Sequence, residues 1–173
     1  MQVKLAGRVN KLAGFSRQAD VLRMIAVRVG QLDLRKVMQR PGINEALRLS
    51  VYHHDGAKPD YVATLMRGIG AGCRLEVVYD RYVRLNQFYN YDFTIPLERY
   101  QKLLAALRSS QFDRIDDETD LPVSGVNLWM IERGSGSFFH DVVLAPASAV
   151  GHHREFVIAF RTHLPEAIRE LTI

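Results

Sequence analysis

The chain reads as an α+β protein: an antiparallel sheet in ββαββα order packed by two helices, preceded by a basic, mainly helical N-terminal segment. Three observations predict this. Apolar and polar residues alternate in several short runs, helical spacing recurs between them, and Gly-rich turns stand where hairpins need them. Over 173 residues, 47% hydrophobic and 24% charged composition is that of a globular protein able to bury its own core.

At the start, Leu5, Val9 and Leu12, and then Leu22, Ile25, Val29 and Leu32, recur at helical spacing among arginines and lysines. One or two amphipathic helices are expected, ending before Pro41-Gly42, which cannot continue a helix. Residues 46–66 leave two readings open. Leu47, Leu49 and Val51 alternate as in a strand, with Tyr61 to Met66 as hairpin mate; alternatively Pro59-Asp60 opens a short helix closed by Gly68, Gly70 and Gly72. The single-face placement of the three apolar residues favours the hairpin. Two regions follow: a basic segment over 1–70, helical with this possible hairpin, and a ββαββα domain over 73–173.

From Cys73 onward Leu75, Val77 and Tyr79 alternate with Arg74, Glu76 and Asp80, as in a half-buried strand. Phe88 to Ile95 is aromatic-rich and predicts a second strand. Pro96 suits a first helical position, and Leu97, Tyr100, Leu103, Leu104 and Leu107 form the stripe of a helix reaching about Ser109. The five acids between Asp113 and Asp120 read as a solvated loop. Gly125 to Pro146 reads as a β-hairpin about Arg133-Gly134-Ser135-Gly136-Ser137, and Glu155 to Leu171 returns to helical spacing, interrupted near Pro165.

Trp129-Met130-Ile131-Glu132, a Gly-rich turn and Phe139-His140-Asp141-Val142 resemble a segment of uncharacterised bacterial α+β proteins with a Trp-x-x-Glu strand, a turn and an aromatic-His-x-Val strand. The resemblance spans residues 73–173; it implies a fold and brings no activity with it. Members of that group often begin with a membrane or lipoprotein segment, which this sequence does not show.

Composition narrows the function classes. One cysteine, Cys73, excludes an intramolecular disulfide framework and a multi-cysteine zinc site, and it reads as a small core residue. No apolar run approaches the roughly 20 residues needed to cross a bilayer, and no signal peptide stands at the start. The expectation is a cytoplasmic protein without a membrane span. The net charge of +4 is uneven: residues 1–70 hold 12 Lys/Arg against 5 Asp/Glu, and residues 71–173 hold 11 against 14.

Several constellations carry chemistry. His53, His54 and His140 are the residues for a metal-dependent hydrolase, since neutral imidazole is a common ligand and a catalytic site needs about three protein ligands. Neighbouring histidines on a strand point to opposite faces, so His53 and His54 chelate together only if the backbone turns. His53-His54-Asp55 also resembles the His-Asp pair of HD-type phosphohydrolases, but no histidine precedes His53 to serve as their upstream ligand. Glu132 and His140, counted from a turn near Ser135-Gly136, stand approximately opposite each other and suit a carboxylate-oriented general base, or a structural cross-strand pair. Gly68-x-Gly70-x-Gly72 lacks both the spacing and the following Lys-Ser/Thr of a phosphate loop.

Arg8, Lys11, Arg17, Arg28, Arg35 and Lys36 supply cations for nucleic-acid phosphates. Tyr79, Arg81, Tyr82, Arg84, Tyr89 and Tyr91 are the residue types enriched at protein-recognition hot spots. With no recognisable nucleophile elbow and no cofactor motif, the leading expectation is a small non-enzymatic interaction protein of inhibitor, immunity or accessory type. Its partner would be another protein. A metal-dependent hydrolase and a nucleic-acid-associated protein are the alternatives.

Overall fold

The computed structural model describes residues 18–70, 72–80 and 89–171. Helix α1 spans 18–28, and α2 (Leu34–Met38) follows a turn in which the Asp33 side chain accepts from the Arg35 N–H and caps it. Four strands come next: β1 (Ile43–Tyr52), β2 (Tyr61–Gly68), β3 (Gly72–Tyr79) and β4 (Tyr89–Pro96). After α3 (Leu97–Ser109) come β5 (Leu128–Ser135), β6 (Phe138–Leu144) and α4 (Gly151–His163). Pro96 is the N-cap of α3 rather than its first residue. Short 3₁₀ turns occupy Phe112–Arg114 and Pro165–Ile168.

All six strands form one antiparallel sheet in the order β4-β3-β2-β1-β5-β6. The ββαββα description is therefore short by two strands. β1 and β2 are the middle of the sheet, so residues 43–68 are not part of a helical N-terminal segment. Helix is confined there to 18–28 and Leu34–Met38, and the positions Leu5, Val9 and Leu12 lie outside the described residues. The sheet crosses the boundary drawn at 70–73.

Both faces are covered. On one, Leu47, Leu49, Val51, Leu75, Val77, Trp129 and Ile131 pack against Leu103 and Leu107 of α3 and Phe156 and Phe160 of α4. On the other, Leu22, Ile25 and Val29 cover Val62, Val78, Met130 and Val143, while Leu34 and Val37 of α2 cover Ala46 and Met66. The parity of each strand thus sorts its residues between two helical layers rather than between core and water.

The acidic loop is bound rather than solvated. Glu118 N–H donates to the Val143 carbonyl at 2.8 Å, Val143 N–H donates to Asp117 Oδ1 at 2.7 Å, and Ala145 N–H donates to Glu118 Oε2 at 2.8 Å. These bonds occupy the outer edge of β6, an edge that otherwise invites pairing with another chain.

Candidate functional site

Between the apolar patch under α1 and the smaller one under α2 runs a row of polar residues. Register aligns Asp92, Glu76, Thr64, Arg48, Glu132 and Asp141 across β4, β3, β2, β1, β5 and β6. Neighbouring rows on the same face are apolar near the centre, with Val62, Met130 and Val143 on one side and Ala46, Met66 and Gly134 on the other. The row is the floor of a groove between the two helices.

At its centre lie two buried ions. Arg48 is 1% exposed; its Nε donates to Thr64 Oγ1 at 3.0 Å, while Nη2 has no partner. Glu132, its cross-strand neighbour, is 5% exposed, and no hydrogen bond or ion pair holds its carboxylate. Burial pushes the Glu132 carboxyl up to about 7; the nearby Arg48 and Arg23 charges pull it down, and those of Asp141 and Asp33 push it up. Burial likewise lowers Arg48. The hydroxyl of Ser50, two residues along β1, is also buried without a partner.

Glu132 opens into a cleft of about 410 Å³ lined with Arg23, Asp33, Arg35, Phe139, His140 and Asp141. Arg23 donates to Asp141 Oδ2 at 2.7 Å across one side, and the Arg35 guanidinium lies 4.3 Å from the Phe139 ring centre on another. Cations and anions around this cleft largely balance. The unmatched group is Glu132.

A second buried cluster, on the α3 side, behaves differently. Arg133 reaches Asp113 at 2.8 Å and Glu45 at 3.6 Å, and Glu45 also accepts from Arg67 at 3.0 Å and Tyr100 at 2.6 Å. Its hydrogen bonds hold the Glu45 carboxyl below the usual carboxylate range against the opposing effect of burial. Such a network ties β1, β2, α3 and β5 together. One residue away along β5, Glu132 has no counterpart to it.

The residues singled out from sequence are distributed as follows. Glu132 and His140 do not pair: Glu132 stands opposite Asp141, and His140 opposite Arg133. The loop of the hairpin is Gly136-Ser137, half a residue further along than the assumed turn centre, and a one-residue change of register exchanges the faces of a strand. His140 Nε2 lies 2.9 Å from the Ile115 carbonyl, and its ring packs edge-on against Phe112 on the α3/α4 face.

His53 Nδ1 sits 3.1 Å from the Pro59 carbonyl, and His54 Nδ1 lies 2.9 Å from Asn127 Oδ1. With His140 they form no ligand set: among the described residues no group of three or more His, Cys, Asp or Glu is placed to hold a metal. Cys73 is buried, and burial raises its thiol.

Tyr79 is buried rather than presented to a partner; its ring lies 5.1 Å from Tyr61 and 6.0 Å from Tyr91, and its hydroxyl donates to the Arg169 carbonyl. Burial pushes that hydroxyl up to about 12. Tyr91 is half-buried and Tyr89 exposed, whereas Arg81, Tyr82 and Arg84 lie outside the described residues.

Arg28 is committed to Asp60 at 2.9 Å and Asp80 at 2.7 Å, which clamps α1 to the sheet and occupies the cation intended for phosphate. Arg35 and Lys36 are exposed on α2; Arg8, Lys11 and Arg17 fall outside the described residues. Arg48 and Ser50 were not singled out. Their signal was present, since apolar-faced helices before β1 require a second sheet face to cover, and residues 46, 48, 50 and 52 occupy it.

No family model matches the chain, and no curated protein matches it either. Among the described residues, no helix is long and apolar enough to cross a membrane.

Proposed function

We propose that this is a non-enzymatic binding protein that takes a macromolecular partner on the α1/α2 face, with a basic side chain of the partner entering the cleft against Glu132. The unpartnered carboxylate of Glu132 at the cleft floor carries the reading. A buried carboxylate without hydrogen bonds costs stability, and an incoming donor recovers that cost on binding. The donor is cationic because Glu132 offers two free acceptor oxygens, Asp33 and Asp141 stand at the rim, and Arg23 is already held by Asp141.

The size of the partner follows from α1. This helix is apolar on its inner side at Leu22, Ile25 and Val29, and its outer side also carries Val21, Met24 and Val27, with Met24 53% and Val27 66% exposed. Helices apolar all round are ordinarily covered on both sides. The helix that lends Arg23 to the cleft thus adds an apolar ridge to a charged notch, a pairing found at protein interfaces. A small metabolite would fill the notch and leave the ridge bare.

Random peptides displayed on phage and panned on the immobilised protein test this. Enriched sequences are expected to carry Lys or Arg beside apolar residues, and to lose binding to Glu132→Gln and to Met24→Lys. Peptides indifferent to both substitutions would overturn the reading. So would turnover of a generic ester or phosphoester by the wild type that Glu132→Gln abolishes.

A further inference from the structure

The opposite face of the sheet carries a second cleft, of about 210 Å³, where β1 ends and β5 begins; its walls include Val51, His53, Tyr61, Trp129, Arg161 and Glu170. The floor is flat and apolar, since Tyr61 and Trp129 are both buried there. His53 is buried beside them and aims a defined nitrogen inward. Its Nδ1 lies 3.1 Å from the Pro59 carbonyl, which only accepts, so Nδ1 carries the proton and Nε2 is left for the cleft.

Nε2 has no hydrogen-bond partner; Glu170 Oε1 stands 3.9 Å away, beyond bonding reach. The other Glu170 oxygen takes the Lys58 ammonium. Glu170 follows the last 3₁₀ turn and is half exposed, so the chain's own tail holds a carboxylate at the cleft mouth between two basic groups. Arg161 of α4 brings a third.

We infer that this cleft binds a small carboxylate with a flat apolar body, and that Glu170 is its internal competitor. The Arg161 fork and the protonated Nε2 of His53 receive the carboxylate, and the ring lies on Trp129 and Tyr61. The volume is below the roughly 300–1,000 Å³ of sites for drug-sized ligands, which restricts the occupant to about the size of a single-ring acid.

Benzoate, followed by amide NMR shifts of the full chain, is the probe. Saturable binding is expected, tightened about tenfold by Glu170→Gln, which removes the competing charge, and weakened at least about tenfold by Arg161→Met. Benzamide, the uncharged analogue, should not bind. Arg161 and Glu170 are both exposed, so these variants keep the core intact. Glu132→Gln, on the other face, should leave benzoate binding unchanged, which separates this site from the partner groove. Equal binding of benzamide and benzoate, unchanged binding in Arg161→Met, or no benzoate shifts in folded Glu170→Gln would each overturn the inference.

Discussion

Glu132 and Arg133 are chain neighbours with opposite fates. Arg133 points to the α3 side and meets two carboxylates; Glu132 points to the α1 side and meets none within bonding distance. The consequence is a stability that depends on pH in a known direction. The folded-state value of Glu132 is raised from 4.5 to about 7, so between those values the folded protein binds more protons than the unfolded chain. Stability contributed by protonated Glu132 is complete below that window and falls as pH rises through it. Glu132→Gln should therefore raise stability by about 3 kcal/mol at pH 8 and by little near pH 4.5, measured by urea unfolding. A second prediction concerns its neighbour. Arg48→Met removes a positive charge that holds Glu132 down, so the Glu132 carboxyl carbon should titrate at higher pH by NMR. The double variant Arg48→Met/Glu132→Leu should be at least as stable as wild type at pH 8, because apolar residues replace two poorly satisfied ions.

The β5–β6 hairpin decides which residues meet, and its geometry rests on one glycine. Gly136 takes φ +57 as first residue of a two-residue loop, the position glycine fills in a type II′ turn. That fixes the pairing of Ser135 with Phe138 and hence the faces of Glu132 and His140. From sequence, any of the residues between Arg133 and Ser137 was an acceptable centre, and the choice of parity was free. Gly134 has a different task. A Cβ there would come within 3.1 Å of Met38 Cγ, so its absence lets α2 approach the sheet and close one wall of the groove. Gly134→Val should cost about 1–3 kcal/mol by overpacking, and Met38→Ala should recover part of it in the double variant, read from thermal unfolding. The acidic loop was misread for a related reason: carboxylates that bind backbone N–H groups look, in sequence, the same as carboxylates bound to water.

At the scale of the molecule, one sheet carries helices on both faces, and its central strand β1 contacts β2 and β5 alike. Unfolding should be a single transition. Phe160→Ala under α4 and Ile25→Ala under α1 should each lower that same transition by about 2–5 kcal/mol, although they lie on opposite sides and on opposite ends of the chain. Two separable transitions in differential scanning calorimetry would show instead that residues before and after 70 fold independently. By contrast, Met24→Lys on the outer ridge of α1 should leave stability within about 0.5 kcal/mol while abolishing peptide capture.

Local patterning was sufficient for an α+β chain, for strands at Cys73 to Tyr79 and Leu128 to Leu144, and for the helix after Pro96, because alternation and helical spacing are written in residues a few positions apart. It was also sufficient to mark Glu132 as chemically unusual in an apolar strand. The grouping of Glu132 with Arg48, Asp33 and Arg23, and its separation from His140, came from strand order, register and the placement of two helices over the second face. Those are contacts between residues up to about a hundred positions apart, and each depends on a parity that no single segment specifies.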